Sequence, residues 1–232
     1  MTYHAAYALP TDLLDIVLIE DSKPMQAILR SIIGGLKPRR VRTFDRADEA
    51  LEAMLHEPPN LIITDWRMEP MSGAMFLKTI RDKRMSPLCF VPVIVVTAHA
   101  TRQVVERAMY SGAHSLLVKP LAPAMLLDRV QRLCEDQRRF VLDHDGGAYE
   151  IEGVRKVLAV QQARTDALLK AREYHEAALR QIETEEGGEH KVDPATAEVA
   201  NKIVVANRRT AAKASTLPAS THRYAAIRVP NT

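Results

Sequence analysis

The stretch VPVIVVTA, Val91 to Ala98, decides the fold, because it is apolar at almost every position rather than at every second one. A strand with one wet face alternates. A strand covered on both faces does not, and such continuity marks a parallel sheet held between layers of helix. Shorter runs of strand length recur at Ile16 to Ile19, Val41 to Phe44, Leu61 to Thr64 and Ser115 to Val118. Between and after them lie stretches of helical length at about 24–36, 46–56, 73–83, 101–111 and 123–139. In RADEALEAML, Ala47, Ala50, Leu51 and Met54 follow helical spacing behind Asp45, which reads as the N-cap. Val104, Val105, Ala108 and Met109 form another apolar face, which Gly112 can end. The order predicts an α/β domain, a doubly wound five-stranded parallel sheet built as (βα)5.

That domain is expected over residues 13–142, behind an N-terminal lead of residues 1–12. DHDGGAYEIEG, at 143–153, breaks periodicity with glycines and acids and reads as a hinge. A helical extension is expected over 154–213. From about 154 to 185 there is neither Gly nor Pro, and Ala, Leu, Glu, Gln and Arg dominate, which predicts one long helix. Its apolar positions Val154, Leu158, Leu168, Leu179 and Ile182 are interrupted by Gln161, Thr165, Arg172 and His175, so a strong leucine-type coiled coil is not indicated. A further short helix is expected within 194–213. Residues 214–232, rich in Ser, Thr and Pro, read as a flexible tail.

Composition narrows the function classes. The 32 Lys and Arg against 29 Asp and Glu leave a formal charge of +3, too small a bias to indicate nucleic acid. Cys89 and Cys134 lack metal-ligand spacing and read as reduced bystanders. No apolar run approaches the length of a membrane span, and the N-terminus lacks a basic start followed by an apolar core. A soluble cytoplasmic protein without membrane insertion is therefore expected.

The chemistry sits at the strand ends. Glu20 and Asp21 follow the first strand, Asp65 the third, Thr97 closes the fourth, and Lys119 follows the fifth. In a parallel sheet, residues beyond the carboxyl ends of neighbouring strands converge on one crevice. Three clustered carboxylates repel one another unless a cation sits between them, and a hard divalent ion such as Mg2+ suits all-oxygen ligands. Lys119 and Thr97 could hold oxygens of a phosphoryl group carried by Asp65, since carboxylates are competent nucleophiles. The alternative is that each residue merely caps a helix in solvent. Five of them at matching strand ends favour convergence.

On LIED with Glu20 and Asp21, TDWRMEPMSG with Asp65, VVTAHA with Thr97, and LLVKP with Lys119 and Pro120, the sequence resembles the receiver domains of bacterial two-component response regulators, above all the single-domain chemotaxis receiver. The resemblance covers about residues 14–140 and implies the flavodoxin-like receiver fold. It implies that Asp65 is the phosphoacceptor and that Mg2+ is held by Glu20, Asp21, Asp65 and the backbone carbonyl of Arg67. Thr97 and Lys119 would contact the phosphoryl group, and the Lys119-Pro120 bond would be cis. Arg67 and His99 would line the path of the hydrolytic water and tune the acyl phosphate's lifetime. The domain would catalyse its own phosphorylation and dephosphorylation.

Three positions depart from the family pattern. Glu20 stands where Asp is common, Glu69 separates Met68 from Pro70, and Leu116 replaces the usual switch aromatic of the fifth strand. Trp66 reads as a half-exposed structural aromatic. The implied partner is a histidine kinase or histidine phosphotransferase. The helical extension would supply the output through protein contacts, as a homodimer or against an effector. Two other outputs stay open: a DNA-binding transcriptional regulator, and a phosphate sink without a dedicated effector. Against the first, the tail offers one long helix rather than several short ones around a basic reader.

Overall fold

A computed structural model describes residues 2–185, with side chains through 177. The short helix expected within 194–213 and the tail at 214–232 lie outside the described residues. The chain divides into two units, Met1–Leu158 and Ala159–Thr232.

In the first unit five strands, β1 (Asp15–Ile19), β2 (Arg40–Phe44), β3 (Leu61–Asp65), β4 (Val93–Thr97) and β5 (Ser115–Val118), form a parallel sheet in the order β2-β1-β3-β4-β5. They alternate with helices α1 (Lys23–Gly34), α2 (Ala47–His56), α3 (Gly73–Arg81), α4 (Arg102–Tyr110) and α5 (Pro123–Cys134). The fold is thus the expected (βα)5 arrangement of flavodoxin-like receivers, followed by a helical region. β1 and β4 are buried along their whole length, which is why their sequences show no alternation. β2 lies at one edge, where Arg40 and Arg42 both pair with the buried Asp15 carboxylate. Charged side chains on an edge strand also discourage pairing with another chain.

Local chemistry sets the helix limits. Ser72 and Thr101 cap α3 and α4 by accepting the backbone N–H groups of Met75 and Val104. Gly112 takes the left-handed conformation, φ +89°, in the turn that ends α4 and leads to β5. Asp45 is not the N-cap of α2. Arg46 holds that position without a side-chain cap, while the Asp45 carboxylate accepts from Gln26 at 2.9 Å and pairs with Lys23. α5 stops at Cys134 rather than 139, because the polar run EDQRR has no apolar residue to keep a helical face buried. There Arg138 folds back onto the Asp136 carboxylate.

The stretch read as a hinge instead belongs to an antiparallel hairpin, β6 (Phe140–Leu142) with β7 (Tyr149–Ile151). Asp143 shapes the turn by accepting the N–H groups of Gly147 and Ala148. Phe140 and Ile151 are the two buried residues of the hairpin strands. The N-terminal lead is also part of this unit: Ala6 is fully buried, Thr2 bridges Phe140, and the Ala5 N–H donates to the Phe90 carbonyl. Helix α6 (Val154–Glu185) follows the hairpin, with Val154 and Leu158 buried in its first turns. In the second unit Val160, Leu168, Leu169 and Tyr174 are exposed. Among the described residues, no helix is long and apolar enough to cross a membrane.

Candidate phosphoryl and metal site

The carboxyl ends of β1, β3, β4 and β5 meet at one crevice. In register, Asp65 lies beside Val96, one residue before Thr97, and Thr97 lies beside Val118, one residue before Lys119. The sheet therefore delivers all three functional groups to one level. Glu20 and Asp21 complete the set from the end of β1.

One oxygen from each of Glu20, Asp21 and Asp65 can be chosen so that all three lie within 4.8 Å of one another. Lys119 spans two of these acids, with Nζ 2.7 Å from Glu20 Oε2 and 3.0 Å from Asp65 Oδ2. The other Asp65 oxygen, Oδ1, accepts the Trp66 backbone N–H at 2.6 Å. Asp65 is thus oriented through both oxygens, while Asp21 is exposed at the mouth of the crevice. Thr97 is buried, and its Oγ1 accepts the His99 backbone N–H at 3.1 Å, which fixes the hydroxyl at the end of β4.

The electrostatics follow from three clustered acids, two of which share one lysine. Glu20 is only 1% exposed, and burial raises its pKa against the opposing hydrogen bond from Lys119. Burial pushes Lys119 down, but its bonds to Glu20 and Asp65 outweigh that effect, and its pKa is raised. One ammonium neutralises one of three carboxylates, so excess negative charge remains to favour a cation. The donors are all oxygen and include one exposed acid, a set that fits Mg2+.

The remaining residues named from the sequence fall around this crevice. Arg67 and His99 are exposed on the loops after β3 and β4, and Leu116 is buried in β5 beside Val95. The Lys119-Pro120 bond is cis, as is Glu69-Pro70 in the loop whose sequence departs from the family pattern. Trp66 is not half-exposed. It is 7% exposed, because its ring turns into the core while its backbone serves Asp65.

Gly73 is a site residue that sequence reasoning missed. A side-chain carbon there would stand 2.5 Å from the Asp65 carbonyl oxygen and 3.0 Å from Trp66 Cα. The Ser72-Gly73 pair opening α3 is the signal that could have revealed it, since a glycine just inside a helix start invites a close-approach explanation.

Residues 16–131 match the response regulator receiver domain. The chemotaxis protein CheY of Pseudomonas aeruginosa is 30% identical over 122 residues, 52% of this chain and 95% of that protein. CheY-3 of Vibrio cholerae is 28% identical over 121 residues, 52% of this chain and 91% of that protein. Among solved structures, Vibrio cholerae chemotaxis protein CheY4 matches at 25% identity with a TM-score of 0.48, covering 52% of this chain and 98% of that one.

Proposed function

The chain belongs to the response regulator receiver family, and from that membership we propose that it is a phosphorylation-dependent switch with Asp65 as its phosphoacceptor. The observation that carries this reading is the convergence of Glu20, Asp21 and Asp65 within 4.8 Å, with Lys119 bridging two of them. The donor is a histidine kinase or histidine phosphotransferase. An Asp65 carboxylate oxygen attacks the phosphorus of a phosphohistidine, a P–O bond forms as the P–N bond breaks, and the imidazole leaves. Hydrolysis reverses the gain: water attacks phosphorus, inorganic phosphate departs, and the Asp65 carboxylate is restored.

This chain's residues divide the work. Lys119, already held at the Asp65 oxygen, pairs with the charge that develops on the phosphoryl oxygens. Thr97 offers a hydroxyl donor from the end of β4. Glu20, Asp21, Asp65 and the Arg67 carbonyl would hold Mg2+, which when bound supplies the charge neutralisation that lets an anionic donor approach three acids. Arg67 and His99, both exposed, flank the approach of water and set the lifetime. With Leu116 in place of a ring, the switch at β5 does not turn an aromatic inward. Output passes through protein contacts, for which α6 offers the exposed Val160, Leu168, Leu169 and Tyr174.

The test is intact-mass analysis after incubation with a small acyl phosphate and Mg2+. The expected result is a gain of one phosphoryl group that disappears in Asp65→Asn and on chelation of the metal. A folded, Mg2+-binding protein that gains no mass from any phosphodonor would overturn the proposal.

A further inference from the structure

The amino ends of the strands, at the sheet edge opposite the acidic crevice, hold a second concentration of buried polar groups. Arg81, the last residue of α3, is 2% exposed. Its Nε and Nη2 donate to the Gly112 carbonyl at 3.1 and 2.9 Å, and its Nη1 donates to the Cys89 and Val91 carbonyls, each at 2.9 Å. The Phe140 ring lies 4.7 Å from the centre of the guanidinium. These partners are carbonyls and a ring rather than a carboxylate, and burial pulls the Arg81 pKa down to about 9. A cation buried at such cost fixes the groups around it. The groups it fixes are the leading segments of β4 and β5, whose far ends carry Thr97 and Lys119.

The hairpin grips the same place from outside. Asp82 bridges Ala148, and Lys83 donates from its backbone to Gly147 and from Nζ to Gly146. Arg138 donates to the His114 carbonyl at the start of β5. The Tyr149 ring stands 4.7 Å from that of Phe90. The chain then turns at Gly153 into α6, where Val154 and Leu158 are buried and Arg155 lies within electrostatic reach of Tyr110 at the end of α4.

We propose that Arg81, Phe140 and the hairpin form a clasp through which phosphoryl loading at Asp65 reaches the start of α6, Val154 to Leu158. The inference rests on the receiver function proposed above. β4 and β5 have five and four residues, so a shift at Thr97 or Lys119 arrives at the clasp without crossing a flexible joint. Packed cores pass such shifts on as discrete rearrangements rather than absorbing them. The coupling is reciprocal, so a partner that holds the start of α6 also changes the affinity of the crevice for its ligands.

Hydrogen exchange of the full chain, with and without Mg2+ and beryllofluoride as the phosphoryl mimic, tests the clasp, with fluorine NMR reporting loading separately. Loading is expected to change exchange in residues 140–158 by about fivefold or more, the lower end of ordinary coupling. Asp65→Asn should show neither loading nor change. Phe140→Leu keeps apolar bulk but removes the ring from Arg81, so it should load while losing most of the change at 140–158. Should that variant fail to fold, Lys83→Ala removes only an exposed grip on Gly146 and should also reduce the response. A loaded wild type with unchanged exchange at 140–158, or a loaded variant with the full change, overturns the clasp alone. Absence of loading in the wild type removes the receiver function and the clasp together.

Discussion

At Glu20 two effects oppose each other, and burial outweighs the hydrogen bond from Lys119, so the pKa is raised above 4.5. The folded protein then binds this proton more tightly than the unfolded chain does. The resulting stabilisation is fully present below pH 4.5 and is lost as pH rises through the raised value. Lys119, also raised, contributes stability that is present below 10.5 and lost as pH rises through its folded value. Near neutral pH the ionised Glu20 is therefore a net cost, one that its proposed role as a Mg2+ ligand would account for. Glu20→Gln is expected to raise metal-free stability near neutrality by on the order of 1 kcal/mol while weakening Mg2+ binding, as read from urea melts with and without the metal. A loss of stability would mean that the Lys119 pair outweighs burial. Gly73→Ala should act in the opposite sense. Its new carbon would press on the Asp65 and Trp66 backbone, neither of which is a flexible side-chain end. It is expected to cost about 1–3 kcal/mol and to slow acyl-phosphate labelling of Asp65, both measurable on one purified variant.

At the scale of elements, β1, β3 and β4 were legible because burial on both faces writes a nearly continuous apolar run, and the helices because one buried face writes a periodic stripe. The acids were legible for a related reason, since a parallel sheet turns "last residue of the strand" into "same crevice". The hairpin was not legible. Its burial rests on Phe140 and Ile151 alone, too few residues for alternation to register, and its glycine-rich turn carries the same signal as a hinge. Nor could sequence disclose Arg81, because an arginine in the last turn of a helix normally faces water and favours the helix dipole. Its burial arises from three carbonyls that converge only in the folded chain. Arg81→Ala should therefore cost far more than a surface arginine, about 3 kcal/mol or more, by leaving those carbonyls unpaired and a cavity under Phe140. Thermal melts of this variant beside Arg30→Ala, an exposed residue of α1, would separate the two cases.

For the whole molecule, the family-matched segment ends at residue 131, yet the first unit runs to Leu158, so family limits and folding limits differ. The difference is physical. Phe140, Ile151, Val154 and Leu158 are buried, and each hydrophobic side chain of this kind contributes about 1.5–3 kcal/mol relative to exposure. The segment beyond Leu142 also carries Gly146 and Gly147, the hairpin partners of Lys83. Truncation after Leu142 keeps Phe140 but divides the hairpin and removes Ile151, Val154 and Leu158, and is therefore expected to destabilise the receiver severely. Truncation after Leu158 removes none of these buried side chains and should leave the urea midpoint of the first unit nearly unchanged. The proposed Mg2+ site sharpens the comparison, because metal bound by the folded crevice would stabilise it by mass action, about 2.7 kcal/mol at a hundredfold excess over the dissociation constant. That increment should persist in the longer truncation, whose crevice is intact. Equal urea midpoints for the two truncations would mean that the hairpin rests on the domain without supporting it, and the boundary of the working receiver would then return to the end of α5.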